Sequence, residues 1–356
     1  MQSPFRSIGV VPQIGLHVVV AALIVVITLP LLRGDDSAPR FDPAAPTGAG
    51  AAREIVDSVG LRDVAFSPDG QRVIGVSDDI ARSWWLAEGG SDGQFMRGCG
   101  ATRLVYAPIA GPVRAVGCAD GRVFVGGPTD HDKGPFASRE GFLEALPASH
   151  PRPVTDLDFS GDGRLLVSAS IDGILRVWDV AARAPVGAPF DMWPTVHGIR
   201  TALGITGVAF LPDNRTVAVA GADQVTLFDI RSRTAVAVAP AGGRALSVAI
   251  SPDGQTMAIG RDSGSVQLWS LRDRRHVGRP LLGLDSYVYR VAFSANGDFL
   301  VGGSQRATVI WNPDTGEQIT PTMPGGSGFA LNPNGRTIAV FDHNHPVIRL
   351  YPTRVT

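Results

Sequence analysis

Lysine is nearly missing from this chain. Lys133 is the only one in 356 residues, and 32 basic residues face 33 acidic ones for a formal net charge of −1. So balanced a chain carries no overall field toward nucleic acid, and no DNA- or RNA-reading motif is present, so no nucleic-acid partner is expected. Cysteine is equally scarce, with Cys99 and Cys118 alone. That excludes a disulfide-dense scaffold and any zinc site of the CxxC type. The two can bridge one another if the domain faces an oxidising compartment and their Cα atoms lie within about 7 Å, which the sequence leaves open. A Gly-rich phosphate loop, HExxH, GxSxG and the kinase signatures are also absent. The expectation is a non-enzyme without cofactor.

What the chain has in quantity is turn residues, 43 Gly and 27 Pro beside 44% hydrophobic content. That mixture suits many short strands joined by tight turns. The clearest unit is Val154–Asp179, VTDLDFSGDGRLLVSASIDGILRVWD. Val154–Phe159 alternates, Gly161-Asp162-Gly163 turns, Leu165–Ser168 runs apolar, Ile171-Asp172-Gly173 turns again and Ile174–Trp178 finishes. Period-2 alternation broken by Asp-Gly pairs predicts consecutive hairpins. One three-stranded sheet cannot bury its apolar face alone, so the unit needs neighbours.

Those neighbours recur along the chain. The first-turn Asp or Asn is found at Asp69, Asp120, Asp162, Asp213, Asp253, Asn296 and Asn334. An aromatic residue follows each by 15 to 17 positions: Trp85, Phe136, Trp178, Phe228, Trp269, Trp311 and Tyr351. There are seven repeats. After Tyr351 only five residues remain, too few for a turn and a strand. Arg53–Val59 precedes the first full repeat and is expected to supply the outer strand of the seventh, which closes a ring.

FSPDG at 66–70, ISPDG at 250–254 and Trp178-Asp179 resemble the WD-repeat β-propeller family, in which each repeat makes a four-stranded blade. The resemblance covers about Arg53 to Tyr351 and implies an all-β, seven-bladed propeller of four-stranded antiparallel blades. It is a divergent, bacterial-type likeness, for only one repeat carries Trp-Asp and none carries the family's Gly-His dipeptide. The resemblance further implies that His150, Ser168, Asp172 and Trp178 form a structural hydrogen-bonded tetrad. A Ser-His-Asp set also suggests a catalytic triad, but Ser168 lies mid-strand rather than on an exposed elbow.

One long apolar run stands outside this pattern. Ile14–Leu32 is 19 residues without formal charge, about 28 Å as a helix and close to the thickness of a bilayer core. It is expected to be one uncleaved transmembrane helix, after a tail at 1–13 and before an Ala/Pro/Gly-rich linker at 33–52, with the propeller at 53–356. A short basic N-terminus favours a cytoplasmic tail and an extracytoplasmic propeller.

Candidate contact residues collect in loops. An extra loop at 191–204 is expected to project Met192, Trp193 and His197 from one face, with Trp193 and Met192 as apolar anchors for a protein partner. The same face is expected to gather Asp130, His131, Asp132, Asp342, His343 and His345, either a polar rim capping turns or weak candidates for a metal. Arg231, Arg233, Arg272, Arg274 and Arg275 fall in turns of the opposite face. The favoured function is a non-catalytic, membrane-anchored interaction platform. The alternatives are a lactonase-like metal-dependent hydrolase and a small-solute sensor built on the Asp/His loops.

Overall fold

The computed structural model describes residues 53–56, 60–78, 80–87, 91–95, 99–109, 111, 113–127, 143–192, 195–196, 199–200, 204–325, 328–342 and 345–353. All lie in one compact unit, Pro39–Thr356. They form seven antiparallel blades. The innermost strands are Asp63–Phe66, Ala101–Tyr106, Val154–Phe159, Gly207–Phe210, Ala245–Ile250, Arg290–Phe293 and Gly328–Leu331. Each blade runs outward from its inner strand in sequence order, except the last. There Arg53–Val56 pairs antiparallel with His345–Pro352, with Ile55 opposite Ile348, so the N-terminal strand completes blade 7. No helix among the described residues is long and apolar enough to cross a membrane. Ile14–Leu32 and the linker lie outside the described residues, so the anchor rests on sequence alone.

The alternation read from sequence becomes packing between blades. Each sheet is covered on both faces by its neighbours, so inner and second strands are buried along most of their length, as in Val73–Val76 and Thr216–Gly221. Seven apolar clusters, one per interface, replace a single core. The cluster between blades 6 and 5, for example, joins Leu268 and Val266 to Leu300, Val309 and Trp311. Burying a large side chain in such a cluster contributes about 2–3 kcal/mol.

The first-turn aspartates work locally. Asp162 Oδ1 accepts the Ser160 hydroxyl at 2.6 Å and the Arg164 N–H at 3.0 Å, and Asp253 does the same with Ser251 and Gln255. These hydroxyl and then backbone bonds hold both carboxyls below the usual range.

Two aromatic assignments change. In blade 1 the buried indole is Trp84, 3% exposed, while Trp85 lies on the other side of the strand with the Arg72 guanidinium 4.6 Å over its ring. Neighbouring strand residues face opposite sides, so a one-residue error exchanges core for surface. In blade 2 the third strand is Val123–Gly126 and the fourth Leu143–Ala145, so Phe136 falls in the connection between them, outside the described residues. Asp120 stands in the turn between the second and third strands of this blade, one turn later than Asp69, Asp162 or Asp253, so an offset counted from it overshoots the third strand.

Candidate interaction surface

The blade 3 residues come together around one hydroxyl. Ser168 Oγ accepts the Trp178 indole N–H at 2.9 Å and lies 2.7 Å from His150 Nε2. All three side chains are buried, and the His150 N–H reaches back to the Gly121 carbonyl of blade 2 at 2.8 Å. Burial, aided by the positive Arg176 and opposed by Asp172, pushes the His150 pKa down to about 4. The imidazole is therefore neutral in the folded protein at ordinary pH. Asp172 departs from the expected tetrad. Its Oδ1 accepts the Ile174 N–H at 2.9 Å, closing its own turn, while its Oδ2 and His150 Nδ1 have no hydrogen-bond partner. A short polar side chain satisfies the nearest backbone donor before it reaches for a distant one. The network staples a blade, with Ser168 held mid-strand between two buried groups.

Blades 1 and 6 solve the same problem by subtraction. A Cβ on Gly302 would stand 2.7 Å from the Trp311 ring, and one on Gly75 would stand 3.0 Å from Trp84. The missing side chain lets the indole lie flat on the second strand, and Trp311 Nε1 instead donates to the Leu282 carbonyl at 2.8 Å.

A charged network at the centre of the ring was not expected from sequence. Aligning the inner strands on their shared x-Val-Ala-Phe pattern places Asp63, Arg103, Asp156, Gly207, Ser247, Arg290 and Gly328 at one position. Equivalent positions stand at one height around the ring, so charges set there meet. Asp63 Oδ1 accepts Arg290 Nη1 from blade 6 at 2.6 Å, and its Oδ2 lies 3.6 Å from Arg103 Nη1 of blade 2. Arg103 Nε sits 2.6 Å from Asp156 Oδ1 of blade 3. The same carboxylates also accept the next blade's backbone. Asp63 takes the Leu104 N–H at 2.8 Å and Asp156 the Val208 N–H at 2.9 Å. Deeper on blade 3, Asp158 accepts the Phe210 N–H at 2.7 Å. Burial and the negative Asp156 push its pKa up to about 7 against the pull of Phe210 and Arg103. Side chains of the protein itself thus bridge the centre from blade 6 to blade 3.

Of the loop candidates, Met192 turns inward. It is partly buried and packs with Phe190, Phe210 and Phe228 between blades 3 and 4, and its N–H donates to the Gly173 carbonyl at 2.8 Å. Phe190 leads it in, 5% exposed and edge-on to Phe228 at 5.0 Å. Trp193, His197, Asp130, His131, Asp132 and His343 lie outside the described residues. Asp342 and His345 end the second strand and begin the third strand of blade 7, and their side chains are outside the description. Among the described residues no group of three or more His, Cys, Asp or Glu could hold a metal.

The described loop face offers a different set. Between blades 5 and 6 Leu282 is 69% exposed, and Tyr287 and Tyr289 are 41% and 45% exposed with their rings edge-to-face at 6.0 Å. The blade 5 hairpin supports this loop, for Val288 N–H donates to the Arg261 carbonyl at 3.0 Å. Sequence reading overlooked SYVY at 286–289, because two tyrosines before an inner strand look like ordinary strand residues. Cys99 and Cys118 form a disulfide, Cα to Cα 5.2 Å, in blade 2.

Comparison with known proteins agrees with this geometry. The family model for the WD domain, G-beta repeat, matches residues 144–179, 239–270 and 278–312. Among curated proteins the chain is 29% identical over 172 residues to Protein LST8 homolog of Drosophila melanogaster, covering 45% of this chain and 52% of that one. It is 24% identical over 181 residues to Pre-mRNA-processing factor 19 homolog 2 of Arabidopsis thaliana, covering 50% and 33%. It is also 26% identical over 171 residues to Protein NEDD1 of Bos taurus, covering 48% and 25%. The chain thus spans about half or less of the length of these relatives. The three matched segments and the seven four-stranded blades identify WD repeats in a seven-bladed β-propeller.

Proposed function

We propose that this protein is a membrane-anchored interaction platform, with the propeller on the extracytoplasmic side and protein partners bound on the loop face. The observation that carries the reading is the exposed, edge-to-face Tyr287–Tyr289 pair, with Leu282 exposed in the same inter-blade segment. Large amphipathic side chains held by a stiff scaffold bind with little ordering cost. The sequence assigns Trp193, His197 and the Asp/His segments at 130–132 and 342–345 to the same contact set, outside the described residues. The Cys99–Cys118 bridge supports the extracytoplasmic placement, because disulfides persist in oxidising compartments. The apolar run at 14–32 supports the anchor.

The test has two parts. Membranes carrying the full chain are washed with alkaline carbonate and treated with protease from one side. An anchored protein stays in the pellet, and its propeller is cut only from outside. Partners are then captured with native protein and with Tyr287→Ala/Tyr289→Ala. A partner retained equally by both would overturn the loop-face assignment.

A further inference from the structure

The outer edges of the seven blades are not protected equally. Every propeller blade ends in a strand whose outer N–H and C=O groups are unpaired, and proteins guard such edges with charge, shortness or bulges. Blade 1 ends in Ser91–Phe95 with Asp92, blade 2 in three residues with Glu144, and blade 7 in Arg53–Val56 with Arg53 and Glu54. Blade 3 ends in two split pairs of residues and blade 6 in Met323–Pro324 alone. Blade 5 ends in seven residues, Arg275–Leu281, guarded by Arg275, His276 and Arg279. Blade 4 differs from all of these. Its outer strand, Thr234–Pro240, TAVAVAP, is seven residues long and holds no charge. It is the last strand of its sheet, and Val236 and Val238 are 44% and 48% exposed. Its guards are a bulge at Val236 and the terminal Pro240, and between them Ala237–Ala239 keeps regular register with Val225–Leu227.

We propose that this edge takes an extended segment of a partner protein as a fifth, antiparallel strand: uncharged, alternating in β-branched residues, and acidic at its C-terminal end. Main-chain bonds supply affinity in this mode, and alternate side chains supply specificity. The acidic end follows from charge. Antiparallel pairing brings it beside the start of the strand, where Arg231 is exposed with no carboxylate within 4 Å among the described residues. Arg233, bonded to the Ala188 and Pro189 carbonyls at 3.1 and 3.0 Å, adds a fixed positive charge there. A second copy of the chain fits less well. Two such edges side by side meet along only about 23 Å of two convex surfaces, short of the roughly 1,200 Å2 at which stable interfaces begin. This surface is separate from the loop face and does not depend on the reading given above.

The probe is a fluorescein-labelled octapeptide of alternating threonine and valine closed by two aspartates, titrated by anisotropy into the full chain in detergent. Saturable binding is expected, weakened about tenfold by Val238→Lys and about threefold by Arg231→Glu, and abolished when proline replaces the central valine of the peptide. Both positions are exposed, so the variants should melt with the native protein, which a thermal scan checks. No saturation by native protein at about 1 mM peptide, or equal affinity for Val238→Lys, would overturn the proposal. So would a native dimer that Val238→Lys dissolves, which would assign the edge to a second copy.

Discussion

Two titrating groups on blade 3, the buried His150 and the partly buried Asp158, should oppose each other between pH 4 and 6.5. His150 is held neutral, with its pKa pushed to about 4 from an ordinary 6.5. In that window the unfolded chain binds the extra proton, so stability from this group is full above 6.5 and falls as pH drops toward 4. At 1.36 kcal/mol per pH unit, the loss comes to about 3 kcal/mol. Asp158 is shifted the other way, to about 7 from 3.8. The folded state keeps the proton that the unfolded chain loses, so its stabilisation is full below 3.8 and is lost as pH rises to 7, about 4 kcal/mol as an upper bound. The two slopes cancel across most of the window, and native stability should be nearly flat there. Asp158→Asn keeps an oxygen for the Phe210 N–H but removes the second titration. Its stability should then climb by about 3 kcal/mol from pH 4 to 6.5. His150→Gln should show the opposite slope. Urea unfolding of the full chain at half-unit pH steps measures both. An Asp158→Asn curve as flat as the native one would refute the assignment of a neutral, buried His150.

Four further outcomes follow from particular contacts. Gly302→Ala places a methyl 2.7 Å from the Trp311 ring and should destabilise by about 1–3 kcal/mol, seen as a lower urea midpoint at unchanged slope. Replacing Cys99 and Cys118 together with serine opens a loop of 19 residues' separation and should cost about 3 kcal/mol, matched by reduction of the native protein. Asp63→Asn leaves Arg103 and Arg290 sharing one carboxylate fewer at the centre and should cost about 3 kcal/mol; an unchanged melting temperature would show that the network is idle. Deleting residues 53–59 exposes the third strand of blade 7 as an edge and should give aggregation on light scattering.

The architecture was legible because its signals repeat. An Asp or Asn turn after the inner strand recurs in six of the seven blades, so an error in one repeat is corrected by the others, and Arg53–Val56 could be placed in blade 7 by counting alone. Blade 2 shows where that protection ends: its Asp-Gly pair, Asp120-Gly121, closes the second turn instead of the first, so the spacing that finds the aromatic elsewhere falls beyond the third strand, which stops at Gly126. The ionic centre was missed for a different reason. Asp63, Arg103, Asp156 and Arg290 each look like one polar residue at the start of a strand, where exposure is the default reading. Only alignment of the seven inner strands shows their signs alternating around one ring position. The packing of Met192 against the blade 3–4 cluster was not legible because it depends on Phe190 and on strands from the next blade, which the sequence does not bring together.

Closure and centre together explain how such a ring can present loops rigidly. A propeller whose first strand completes its last blade has one non-covalent seam, here between Arg53–Val56 and His345–Pro352. Four paired residues with one buried side chain, Ile55, are a modest latch. The Arg290–Asp63–Arg103–Asp156 chain starts in blade 6, skips blade 7 and continues through blades 1 and 2 to blade 3. It therefore ties together the blades on either side of the seam without depending on the latch strand. On the same ring Asn332 Nδ2 of blade 7 donates to the Gly70 carbonyl of blade 1 at 2.9 Å, a second tie across the closure. Opening the seam would have to break buried ion pairs as well as strand hydrogen bonds. The Tyr287–Tyr289 loop between blades 5 and 6 is tied to its own hairpins by Val288 N–H to the Arg261 carbonyl and Tyr289 N–H to the Gly303 carbonyl, both 3.0 Å, and the ring's closure keeps those two blades in place beneath it.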